Sequence, residues 1–217
     1  MRIPLAFVLL LLLTTPGAQA GEPRMAVIPM FAQQIVLRQP QDWEVAYLYE
    51  DSSTSLAKFV PGDQSLFDWQ EILSVEAYKG IAAQTTYGPD TMLKAIQGEY
   101  ASHCASPLSA VQLGAEYING YDSDTMLLGC PVLAEDFDGG MADEGTTGLY
   151  NAIRGRQDFY VIHYSTRSTH GNRDQAPITP QNYHDYLALI GPLLLCEPGN
   201  DLSACLAHQR PARSRAK

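Results

Sequence analysis

Basic residues are scarce. The 217-residue chain has 14 Lys and Arg against 24 Asp and Glu, a formal net charge of −10. Four of the 14 (Arg210, Arg213, Arg215, Lys217) crowd into the last eight positions, so the body is more acidic still. Such a surface repels phosphate backbones and anionic lipid heads, which argues against nucleic acid and membrane surfaces as partners. Catalytic signatures are missing as well. There is no G-x-S-x-G elbow, no H-E-x-x-H, no P-loop and no G-x-G-x-x-G, so the familiar serine-hydrolase, zinc-protease and nucleotide-binding designs have no foothold. No C-x-x-C occurs and no His stands at zinc-finger spacing from a Cys, which leaves redox and zinc readings unsupported. No cofactor is expected.

Long apolar runs are also missing, apart from one at the start. MRIPLAFVLLLLLTTPGAQA carries Arg2, an uncharged run at residues 5–13 and an Ala18-Gln19-Ala20 cleavage site. This reads as a secretory signal peptide over residues 1–20. The run is too short to span the bilayer, which takes about 20 residues, so no membrane insertion is expected once the leader is removed. The expected mature chain is periplasmic or secreted. It comprises one domain over residues 21–207 and a basic tail, RPARSRAK at its end, that is read as disordered over residues 208–217. An exported chain with four cysteines suggests two disulfides. Cys104, Cys130, Cys196 and Cys205 allow three pairings. Neighbour pairing, 104–130 and 196–205, is the simplest, because Pro-Gly-Asn-Asp between the last two turns the chain back on itself.

What is present is mostly strand pattern. Residues 25–41 read as loose, broken by Pro29 and Pro40. WEVAYLYED alternates, with Trp43, Val45, Tyr47 and Tyr49 expected on one face, and 43–60 reads as a hairpin. The turn PGDQSLFDW follows, then a strand at about 70–79. A helix is expected over 90–103, capped by Asp90. A second hairpin, 109–118 with 124–133, turns at Asn119-Gly120. Further strands are expected at 148–154 and 158–166. A last helix, capped by Thr179 with Pro180 in its first turn, has a stripe of Tyr183, Tyr186, Leu187 and Ile190 and stops at Gly191-Pro192. Leu193, Leu194 and Leu195 then run on extended. The sum is an α+β domain, a central antiparallel sheet with helices packed on it.

WEVAYLYED, FVPGDQSLFDWQEILSVEAYKG, the cysteine order and the aromatic strand DFYVIHYSTR together resemble a group of small exported proteobacterial proteins without an assigned activity. At fold level the chain is similar to PsbP, the extrinsic photosystem II protein. The resemblance implies an α/β/α layout around an antiparallel sheet. It implies no activity, since fold does not give function.

Three candidate sites emerge. On a strand, His163, Ser165 and Arg167 share a face and offer a polar patch for an anion or a general base, but a half-exposed face whose polar residues are merely solvated is expected. Phe67 and Trp69 suit a partner protein if exposed, and a core plug if buried. The acidic loop with Glu135, Asp136, Asp138, Asp143 and Glu144 offers oxygen ligands of the kind Ca²⁺ takes, but the EF-hand pattern fails there and a solvated loop is expected. The functional expectation is a non-catalytic exported domain that binds an envelope protein or a small ligand. The alternatives are an inhibitor or immunity-type protein acting through its acidic face, and a hydrolase using His163.

Overall fold

The computed structural model describes residues 24–84, 86–134, 144–168, 177–200 and 202–207. In chain order the strands are β1 (Arg24–Met30), β2 (Gln33–Gln39), β3 (Trp43–Glu50), β4 (Thr54–Pro61), β5 (Glu71–Tyr78), β6 (Ser109–Ile118), β7 (Tyr121–Cys130), β8 (Gly145–Arg154), β9 (Phe159–Ser168) and β10 (Leu194–Cys196). Among the described residues there are three α-helices, α1 (Pro89–Ser102) after β5, α2 (Tyr183–Ile190) after β9 and α3 (Leu202–Ala207) after β10, and a short 3-10 helix at Ile81–Ala83. Seven strands form one antiparallel sheet in the order β3-β4-β5-β9-β8-β7-β6, and a second sheet has the order β1-β2-β10.

The second sheet departs from the sequence reading. Residues 25–41 are not loose; they pair as a hairpin, Arg24 opposite Gln39 through Met30 opposite Gln33. Pro29 is compatible with this because β1 is an edge strand, where a missing N–H need not break a ladder. Phe31, at φ 51°, takes the left-handed conformation that the two-residue turn demands. Met30, Ile35, Leu37 and Leu195 of this small sheet are buried with Phe59, Leu73, Leu149, Tyr160, Ile162 and Tyr164 of the large one. The α2 stripe of Tyr183, Tyr186, Leu187 and Ile190 joins the same core. On the opposite face, Met92, Leu93 and Tyr100 of α1 pack with Met126, Leu128, Tyr150, Ala152 and Val161.

Polar bridges hold the two sheets together. Asp158, buried in the β8–β9 turn, accepts Ala32 N–H at 3.0 Å and Gly80 N–H at 2.8 Å. Asn119, in the β6–β7 turn, donates to Leu195 O at 2.7 Å and accepts its N–H at 3.0 Å, acting as one more rung beside β10. Asn119 and Gly120 both have positive φ, as a two-residue hairpin turn requires.

The cysteines pair as neighbours. Cys104–Cys130 ties the end of α1 to the end of β7, and Cys196–Cys205 ties β10 to α3, with Cα separations of 5.8 and 5.7 Å. Loops of this size contribute about 3 kcal/mol each in the chain-entropy model. Such bonds belong to oxidising compartments, which makes this an extracytoplasmic protein. Among the described residues, no helix is long and apolar enough to cross a membrane.

Several boundaries move. The N-cap of α1 is Gly88, not Asp90, which sits in the first turn and pairs with Lys94 at 3.2 Å. The N-cap of α2 is Asn182, not Thr179. Its side chain has turned back to accept from Thr179 N–H at 2.7 Å, so the chain enters the helix three residues later than Thr-Pro suggests. The second strand of the β6–β7 hairpin starts at Tyr121 directly after the turn rather than at 124. The proposed leader and the basic tail lie outside the described residues.

Candidate functional site

Cross-strand register lines up four polar side chains on the α1 face of the large sheet. Lys58 on β4 is opposite Ser74 on β5, Ser74 is opposite His163 on β9, and His163 is opposite Tyr150 on β8. Glu76 lies one step along β5 on the same face, its Oε1 3.8 Å from His163 Nε2. The Tyr150 ring meets the imidazole edge-on at 4.7 Å. Ser165 and Arg167 continue the face along β9, as their alternation predicts. Gly148, opposite Ser165, leaves room for both neighbours: a Cβ there would stand 2.6 Å from Ser165 Oγ and 2.6 Å from the Tyr150 ring.

This row is buried, not solvated. His163 is 2% exposed, and Lys58, Ser74, Tyr150, Ser165 and Arg167 are buried too. The solvated half-face expected from the sequence is therefore corrected: β9 is an inner strand covered on both sides, and alternation alone does not report what covers it. Arg167 has structural partners. Its guanidinium lies 4.5 Å over the Trp69 ring, donates to Phe67 O at 3.4 Å and stands 3.0 Å from Glu144 Oε2. Chemically the row has a carboxylate beside an imidazole, which is half of a hydrolase triad. Among the described residues, Ser74 Oγ and Ser165 Oγ accept or donate no hydrogen bond, whereas a serine nucleophile needs its proton within reach of the base.

The PGDQSLFDW turn divides its two aromatics. Trp69 is 1% exposed and packs with Val60 and Ile72; Phe67 is 83% exposed. Asp68 braces the turn by accepting Ser65 N–H at 2.7 Å and the Ser65 hydroxyl, and these bonds hold its carboxyl below the usual range. Of the proposed cation ligands, Asp136, Asp138 and Asp143 lie outside the described residues, as does Glu135. Glu144 is described and is the ion-pair partner of Arg167. No group of three potential ligands forms among the described residues. A cleft of about 850 Å³ lies between the start of α1 and the β6–β7 hairpin and is lined by Asp90, Glu116, Asp122, Asp124 and Arg154.

The feature that sequence reading missed is at the free edge of the large sheet. Among the described residues β3 pairs with β4 only, and a bulge at Ala46 breaks the alternation. Val45 is opposite Phe59, but Tyr47 is opposite Lys58, so the second half of the strand turns over. The single apolar face expected from Trp43, Val45, Tyr47 and Tyr49 is split: Trp43, Val45 and Leu48 point to one side, Tyr47 and Tyr49 to the other. Among the described residues, four of nine exposed large apolar side chains fall within residues 45–49, with Leu48 69% and Val45 52% exposed. Apart from buried Trp43 and half-buried Ala46, every residue of the strand is exposed. A signal was there in the sequence, in the apolar residues at adjacent positions 45–49, which a one-sided strand does not need.

No family model and no curated protein matches the chain. Among solved structures, a protein of Bacteroides thetaiotaomicron VPI-5482 matches with 15% identity over 64% of this chain and 41% of its own, at a TM-score of 0.33. LpqN, involved in cell envelope biogenesis of Mycobacterium tuberculosis, matches with 11% identity over 81% of this chain and 92% of its own, at a TM-score of 0.37. The chain thus spans about two fifths of the length of the Bacteroides protein, and at these TM-scores neither likeness carries an argument about function.

Proposed function

We propose that this chain is a non-catalytic exported domain that binds a partner protein in the cell envelope, docking it along the free edge of β3. The observation that carries the reading is the cluster of Val45, Tyr47, Leu48 and Tyr49, exposed on an eight-residue strand with no neighbour on its outer side among the described residues. A free edge offers backbone N–H and C=O groups to an incoming strand, and proteins ordinarily blunt such edges with charge or cover. Here the middle of the edge is apolar on both faces. The proposal includes the leader at residues 1–20, a periplasmic or secreted location, and membership of the small exported proteobacterial group with its PsbP-like layout. An inhibitor or immunity-type role uses the same surface and differs only in the partner.

The test places a photoreactive residue at Leu48 and, as control, at exposed Glu99 on α1, in the protein expressed in its own cells. The expected result is one adduct of defined mass at 48 and none at 99, lost when Val45→Lys and Tyr47→Lys are added without change in melting temperature. Equal adducts at both positions, or an adduct indifferent to the lysines, overturns the reading. The rival, a hydrolase using His163, has Glu76 at 3.8 Å in its favour. Against it stand the burial of His163 and the two serine hydroxyls that make no hydrogen bond.

A further inference from the structure

The apolar stretch of β3 is bounded by carboxylates at both ends. Asp42 and Glu44 precede it, Glu50 and Asp51 follow it, and all four are exposed. Between Arg38 and Lys58 the chain has no basic residue, and Lys58 itself is buried. Asp51 is fixed in its ionised form by Ser53 N–H and Thr54 N–H, both at 2.7 Å, and by the Tyr49 hydroxyl at 2.8 Å, which hold its carboxyl far below the usual range.

We infer that the occupant of this edge is an extended cationic segment of another protein, apolar in its middle and carrying Lys or Arg toward both ends. The inference rests on the docking role of β3 and adds the partner's chemistry. A strand laid along β3 covers about eight residues, so its ends fall near Glu44 and Glu50 whether it runs parallel or antiparallel. Opposite charges on facing strands stabilise a sheet pair and like charges directly opposite destabilise it. A second copy is thereby disfavoured: antiparallel self-pairing sets the four carboxylates of one β3 segment against the four of the other, and Arg24 is the base that shares a cleft with Asp42 and Glu44. Apolar residues between the charges meet Val45, Tyr47, Leu48 and Tyr49, and the acidic rim steers a basic partner to the edge.

The test uses the full exported chain and labelled eight-residue peptides, read by fluorescence anisotropy at low salt. One peptide has lysine at both ends with valine and threonine alternating between them. The second has glutamate ends. The third is the lysine peptide with alternate backbone nitrogens methylated, which keeps the charge and removes the donors a ladder needs. The lysine peptide is expected to bind at least tenfold more tightly than the glutamate peptide, methylation to abolish binding, and Glu44→Lys with Glu50→Lys to reverse the preference. If methylation abolishes binding while lysine and glutamate ends bind equally, the edge reading stands and the cationic partner falls. If methylation changes nothing, only diffuse charge attracts the peptide and both fall. If the lysine peptide binds only after residues 208–217 are deleted, the occupant is the chain's own basic end and the inference of a second protein is overturned.

Discussion

WEVAYLYE and FYVIHYSTRS, strands β3 and β9, are both rich in aromatic residues, yet β9 is buried from Phe159 to Arg167 while β3 is buried only at Trp43. Their composition does not explain this. β9 carries His163, Ser165, Thr166 and Arg167 and is buried all the same; β3 carries Val45, Tyr47, Leu48 and Tyr49 and is not. Position in the sheet decides. β9 stands between β5 and β8, with the small sheet and α2 on one face and the α1 layer on the other. β3 stands last, and its bulge turns half of its side chains away from the face that the other half uses. An inner strand can hold polar residues at a cost, and an edge strand can expose apolar ones at a hazard. Where a chain keeps the hazard, a partner is the physical reason to look for.

The comparison breaks most sharply at aromatic truncations. Tyr164→Ala on β9 removes a ring stacked with Trp43 at 5.8 Å and set against Tyr186 at 5.5 Å; Trp69→Ala removes the plug beneath Arg167. Each is expected to cost about 3–5 kcal/mol, a large share of the roughly 5–15 kcal/mol a domain has. Denaturant midpoints measure this. A wild-type midpoint for either variant would show that the ring is not part of the core.

Gly148→Ala tests the polar row next. The added methyl must displace Ser165 Oγ or the Tyr150 ring, and overpacking of this kind costs about 1–3 kcal/mol. Ser165→Ala in the same chain is expected to recover part of that loss, whereas Ser165→Ala alone is expected to change stability little, since its hydroxyl makes no hydrogen bond. A Gly148→Ala loss that Ser165→Ala leaves untouched would locate the clash at Tyr150 alone.

A smaller effect is expected in the turn after β3. The backbone and hydroxyl donors around Asp51 depress its folded pKa far below the unfolded value, so its contribution is fully present above the unfolded value, shrinks below it and is lost only as pH falls through the lower folded value. Asp51→Ala is expected to lower the urea midpoint at pH 7 and to lower it less at pH 3. A deficit that does not shrink at pH 3 would assign the effect to lost packing rather than to the charge.

Smallest is Leu48→Ser on β3, expected to stay within about 0.5 kcal/mol of wild type. A loss approaching that of Tyr164→Ala would mean that the edge is covered in solution even without a partner, and the contrast between β3 and β9 would then disappear.

Much of the layout was legible in the residues. Asn119-Gly120, Gly191-Pro192 and the alternating runs are local signals, and local signals mark turns and strands well. The β1–β2 hairpin was not, because Pro29 argues against a strand unless that strand is known to be an edge. The caps of α1 and α2 were misplaced because Asp90 and Thr179 are sound caps chemically, but Gly88 and Asn182 had the geometry. Of the candidate site, the common face of His163, Ser165 and Arg167 was legible from period two, whereas Glu76 beside His163 and Trp69 under Arg167 depend on which strand lies next to which.

The sequence by itself determined the acidic character, the strand-rich class, the scarcity of catalytic motifs and the simplest cysteine pairing, because composition and spacing carry those without reference to neighbours. Only the tertiary structure decided that β9 lies inside and β3 at the edge, that the polar row is buried, and that a second sheet covers one face of the first. Strand order and layer stacking are set by contacts between residues far apart in the chain, and a bulge such as that at Ala46 reverses a face without changing a letter of the pattern around it.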